Sequence, residues 1–118
     1  MTDTTLYHNP RCSKSRQTLA LLEQSGVIPK IVLYLENPPN PAQLQLLLRK
    51  LRLTARDLLR KGEDEYKALG LADTGLDEDA LLKAMSEHPK LIERPIVVVG
   101  DRAVLGRPPE NVFELIPQ

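Results

Sequence analysis

The sequence predicts an α/β fold: one mixed four-stranded sheet with helices on both faces and a helical insertion near its middle. Three observations predict it. A strand, a helix and a second strand follow one another within the first 35 residues, a βαβ unit with a parallel pair and a right-handed crossover. Residues from about 41 to 90 carry helical patterns only. Two apolar runs then meet across Gly100-Asp101, the signature of an antiparallel hairpin.

Thr4 to His8 reads as the first strand, leading into the Asn9-Pro10 turn. Ser13 to Ser25 forms a helix with Leu19, Ala20 and Leu22 on its apolar face, and Gly26 stops it. Ile31 to Leu35 is a β-branched strand closed by Asn37-Pro38-Pro39-Asn40-Pro41. Leu44, Leu47, Leu48 and Leu51 recur at i, i+3, i+4, i+7, the stripe of an amphipathic helix. Thr54 and Asp57 form a capping box that opens a short helix ending at Arg60. Asp77 caps a third helix carrying Leu81, Leu82 and Met85, ended by His88-Pro89. Pro95 to Val99 and Ala103 to Leu105 are the hairpin strands, and Pro109 to Leu115 a closing helix with Pro109 in its first turn. No linker divides the chain, so residues 1–118 are expected to form a single domain with the insertion inside it.

Composition narrows the function. Sixteen basic residues balance sixteen acidic ones, which leaves no electrostatic footprint for nucleic acid. Four aromatics give no base-stacking platform. No apolar run approaches bilayer length, and no signal peptide is expected ahead of the first strand. One cysteine cannot close an internal disulfide, so a reducing cytoplasmic location is expected. No apolar patch or coiled-coil stripe asks for another subunit, so the expected state is a monomer.

That cysteine is the centre of the reading. Cys12 lies in His8-Asn9-Pro10-Arg11-Cys12-Ser13-Lys14-Ser15-Arg16, at the end of the first strand and the start of the first helix. Unpaired N–H groups at a helix start and neighbouring cations both favour a thiolate, the nucleophilic form. Cys12 and Ser15 have the spacing of a Cys-x-x-Cys redox pair, with serine in place of the resolving thiol. An adduct on Cys12 must then be resolved by an external thiol. The Ser15 hydroxyl can donate to the thiolate, or simply cap the helix. A Cys-x5-Arg phosphate loop is absent, since Thr18 holds the sixth position after Cys12. Cys12, His8 and His88 match no zinc spacing, and no metal site is expected.

Arg94 stands before Pro95 at the mouth of a buried strand, and Arg107 follows the other arm of the hairpin. Their backbones are expected near each other at one end of the sheet. Guanidinium groups suit a tetrahedral oxyanion because they offer paired donors.

Together, His8-Asn9-Pro10-x-Cys12-x-x-Ser15-Arg16, Arg60, Glu93-Arg94-Pro95 and Gly106-Arg107-Pro108-Pro109-Glu110 resemble the glutaredoxin-coupled arsenate reductase family, over essentially the whole chain. The resemblance implies a thioredoxin/glutaredoxin-like fold and a cis Pro95. It implies that Cys12 is the nucleophile toward arsenate, with His8 and Ser15 helping to keep it ionised. Arg60, Arg94 and Arg107, with Arg16, would hold the substrate. Glutathione would enter as co-substrate and glutaredoxin as the partner that removes it, with no tightly bound cofactor. The family usually reads Cys-Gly-Thr-Ser-Arg-Asn, whereas this chain has Ser13, Lys14 and Gln17, which adds side chains where glycine admits a ligand to the backbone. Two other readings use the same residues. Cys12 could serve a monothiol, glutathione-dependent exchange on another substrate. The fold also occurs in stress regulators that bind RNA polymerase, although these carry a Cys-x-x-Cys switch that Ser15 removes here.

Overall fold

A computed structural model describes residues 3–116. The chain folds into two compact units, one made of the residues up to Asn37 and from Arg94 onward, the other of Pro38–Glu93.

The first unit holds the sheet. Strands β1 (Thr4–Tyr7), β2 (Lys30–Val32), β3 (Ile96–Val99) and β4 (Arg102–Leu105) lie in the order β2-β1-β3-β4. The β1–β2 pair is parallel, and the β1–β3 and β3–β4 pairs are antiparallel, so the sheet is mixed as the sequence predicts. The register sets Tyr7 opposite both Val32 and Ile96, and Ile96 opposite Leu105. One end of the sheet therefore gathers the exit of β1, the exit of β2, the entry to β3 and the exit of β4.

Helix α1 (Ser13–Gln24) connects β1 to β2. It stops where Gly26 takes φ +81. The Gly26 N–H then bonds to the Glu23 carbonyl at 3.0 Å and the Val27 N–H to the Leu22 carbonyl at 2.9 Å. This is a Schellman closure, which needs a residue at ease in the left-handed region. Leu22 packs with Leu6, Val97, Val112 and Ile116 into a core on one sheet face. Val112 comes from Pro109–Glu114, where the expected closing helix forms as a 3-10 helix. Strand β2 is also shorter than expected: Leu33 onward leaves the sheet because Glu36 and Asn37 both turn back to the Leu33 carbonyl.

The second unit is helical: α2 (Pro41–Leu51), α3 (Ala55–Leu58), α4 (Asp64–Ala68) and α5 (Glu78–Glu87). Leu44, Leu47 and Leu48 of α2 and Leu81, Leu82 and Met85 of α5 are buried where these helices pack. The Thr54–Asp57 box forms, and Asp77 accepts the Ala80 N–H at 2.8 Å. A second box, Asn40 with Gln43, opens α2 at residues that read from sequence as a turn. Helix α4 has no counterpart in the sequence reading: none of its residues is buried, so it leaves no apolar stripe. Pro89–Leu91 adds a 3-10 turn. Among the described residues no helix is long and apolar enough to cross a membrane.

Candidate active site

The end of β1 runs through His8 to Pro10 and delivers Cys12 as the N-cap of α1, with φ −94 and ψ 123. Cys12 is partly exposed, and its side chain makes no capping hydrogen bond. Burial pushes the thiol up, but the backbone N–H of Ser15, the guanidinium and charge of Arg94, and the backbone N–H of Lys14 together outweigh it. The net result is a Cys12 pKa below the ordinary thiol value. The cation that acts most on the sulfur is therefore Arg94, brought from the entry of β3, rather than the neighbouring Arg11, Lys14 or Arg16.

The Ser15 hydroxyl is engaged elsewhere. Its Oγ lies 2.6 Å from His8 Nδ1 and accepts the Asn9 N–H at 3.0 Å. Both His8 and Ser15 are buried. Burial, and then the charge of Arg16, hold His8 below the ordinary imidazole value, so its ring is neutral at neutral pH. The pair thus ties the loop before Cys12 to the first turn of α1 and fixes the Ser15 N–H near the sulfur. Removing the hydroxyl leaves the buried His8 ring nitrogen and the part-buried Asn9 N–H without this partner. Ser15→Ala is expected to lower stability by about 1–3 kcal/mol, read as a lower urea midpoint with an unchanged slope. Arg16 braces the same loop, its Nη1 donating to the Pro10 carbonyl at 3.0 Å.

Arg94 and Arg107 do come together. Arg107 Nη1 donates to the Arg94 carbonyl at 3.4 Å, and the hairpin register puts both at the sheet end that carries Cys12. The Arg94–Pro95 peptide is cis, as the family resemblance implies, and so is Arg107–Pro108. Gly106 fills the space between them. A Cβ there would stand 2.5 Å from Thr18 Oγ1 and 2.7 Å from Pro95 Cγ. Thr18 is fully buried and a proline ring cannot swing aside, so neither neighbour yields easily. Gly106→Ala is expected to cost about 1–3 kcal/mol through overpacking, again measured by urea unfolding.

Arg60 belongs to the helical unit. Helix α3 stops at Leu58, so Arg60 follows the helix rather than ending it. An antiparallel bridge between Leu59 and Ile92 places it, with the Arg60 N–H on the Leu91 carbonyl at 2.7 Å. Arg60 Nη1 lies 3.5 Å from Glu63 Oε1 and Nε lies 3.7 Å from Glu93 Oε1. Both are ion pairs too long to be good hydrogen bonds, and the buried Nη1 makes none. Among the described residues no group of three or more His, Cys, Asp or Glu could hold a metal ion.

Residues 7–115 match the sequence pattern of the ArsC family. The chain belongs to the ArsC family. Among its relatives, an Escherichia coli (strain K12) protein named "Uncharacterized protein YfgD" is 56% identical, with 94% of each chain aligned. A protein of Neisseria meningitidis named "Arsenate reductase" is 48% identical over 95% of this chain and 97% of its own. A solved structure named "Arsenate reductase from Vibrio cholerae" superposes with a TM-score of 0.95 at 51% identity, covering 98% of both chains. The ArsC fold is thus shared along the chain, from the exit of β1 to the closing 3-10 helix.

Proposed function

We propose that this protein is an arsenate reductase in which Cys12 carries the oxyanion and glutathione with glutaredoxin supplies the electrons. The observation that carries this reading is the guanidinium of Arg94 acting on the Cys12 sulfur at a helix start, with Arg107 bound to the Arg94 carbonyl. The same cation that favours the thiolate can hold the anion it attacks. The names of the relatives support arsenate as that anion.

In this mechanism the Cys12 thiolate bonds to arsenic, and one arsenate oxygen takes up protons and leaves as water. Arg94 and Arg107 hold the remaining oxygens. The family resemblance adds Arg60, whose Nη1 is ion-paired but not hydrogen-bonded, as a third cation. His8 and Ser15 act indirectly, by holding the Ser15 N–H toward the sulfur. Glutathione then attacks the adduct, and a glutaredoxin thiol takes up the glutathione as arsenite leaves. Over the cycle arsenic(V) gains two electrons to become arsenic(III), and two thiols become one disulfide. Cys12 returns as a thiolate. No bound cofactor is needed, since both electrons come from thiols.

The test is arsenate-dependent NADPH oxidation in a mixture of glutathione, glutathione reductase and glutaredoxin. Turnover that requires arsenate and both thiol partners is the expected result. If Cys12 exchanges glutathione in that mixture but arsenate adds nothing, the monothiol exchange reading replaces this one.

A further inference from the structure

Strand β1 has β3 on one side and β2 on the other, and the two sides of its exit differ. The β3 side supplies Arg94 and, through the hairpin, Arg107. The β2 side opens instead into a cavity of about 290 Å³. Its walls include His8, Pro10 and Arg11 from the loop before Cys12, and Leu33, Leu35 and Glu36 from the turn after β2. Its apolar walls are open to solvent, Leu35 being 39% exposed. Its charges are of both signs: neither the Arg11 guanidinium nor the Glu36 carboxylate makes an ion pair or side-chain hydrogen bond among the described residues.

We propose that this cavity seats the peptide thiol that discharges Cys12, a small molecule bearing an ammonium group and carboxylates, as glutathione does. This deepens the reductase reading and rests on it for the identity of the thiol. Arg11 would take a carboxylate and Glu36 the ammonium, as unpaired charges of opposite sign would take a zwitterion. Pro10, Leu33 and Leu35 would take the peptide's apolar stem. The reach is right. Arg11 and Cys12 are neighbours, so their Cα atoms are about 3.8 Å apart, while an extended tripeptide spans about 10 Å. A thiol at its centre can come to the sulfur while its ends stay in the cavity. The two substrates would then meet Cys12 from opposite sides of β1, the oxyanion from the β3 side and the thiol from the β2 side.

The test compares the attack of Cys12 on two disulfides, oxidised glutathione and uncharged bis(2-hydroxyethyl) disulfide. In each, the thiolate bonds to one sulfur and expels the other as a thiolate, so the chemistry is the same and only the recognised groups differ. The ratio of the two rates cancels any change in Cys12 ionisation. Arg11→Gln and Glu36→Gln are each expected to lower the ratio about tenfold, by removing one charge-assisted contact. Titrating the isotope-labelled protein with reduced glutathione is expected to move the amide signals of Leu33 to Glu36 and of Arg11. An unchanged ratio, or signals that move only around Gly106 and Arg107, would overturn the proposal. Neither readout involves arsenate. A protein that passes here yet never turns over arsenate loses its proposed substrate and keeps its thiol site.

Discussion

Cys12→Ser is expected to abolish arsenate-dependent NADPH oxidation, with a loss on the order of a thousandfold or more. The serine hydroxyl is essentially un-ionised at neutral pH and has no adjacent base, because the neutral His8 is hydrogen-bonded to Ser15 instead. The folded chain should tolerate the change. Cys12 is partly exposed and caps α1, a position where serine is itself a preferred residue. The variant is therefore expected to keep its urea midpoint while losing turnover, which separates loss of chemistry from loss of structure. Full activity in the folded variant would remove Cys12 from the mechanism and, with it, the proposed function.

The second large effect belongs to Arg94. Its guanidinium offsets the burial that raises the Cys12 thiol, so Arg94→Ala leaves only the Ser15 and Lys14 N–H groups to favour the anion. The thiol pKa rises, and the pH profile of iodoacetamide alkylation moves toward alkaline pH, with a slower rate at neutral pH. Under the proposed function the same substitution also takes a bidentate donor from the oxyanion, and KM for arsenate is expected to rise by about tenfold to a hundredfold. Arg94→Lys separates the two roles. It restores a positive charge, and so part of the alkylation profile, but not the planar pair of donors. If Arg94→Ala leaves the alkylation profile where it was, the electrostatic account of Cys12 fails.

Much of this arrangement is legible in the residues. The Cys12 loop, the Gly26 stop, the Thr54–Asp57 box and the Gly100-Asp101 hairpin each depend on local chemistry, and each forms where its residues stand. The meeting of Arg94 with Arg107 follows from hairpin geometry. What could not be read depends on partners distant in sequence. Basic neighbours on both sides of Cys12 suggest local cations as the source of its acidity, yet the cation on the sulfur comes from the entry of β3. The Ser15 hydroxyl lies one turn from the thiol but bonds to His8, because burial of the imidazole demands a partner. Arg60 ends no helix; it is placed by a bridge to Ile92 that no periodicity announces. Helix α4 buries no residue and so leaves no apolar stripe, and the cavity beside β2 is lined by Leu33 and Leu35, which read from sequence as strand residues but lie past its end at Val32.

The unit that bears Cys12 is built from two separated stretches, with Pro38–Glu93 between them in the chain. On the ribosome, β1 and α1 emerge long before β3, and Cys12 long before the arginine that acidifies it. Until the second stretch is made, the nascent sulfur lacks that cation, and it is less acidic and slower toward electrophiles at neutral pH than in the finished fold. Reactivity therefore arrives with the completed sheet, and a stalled or truncated chain carries a quiet cysteine.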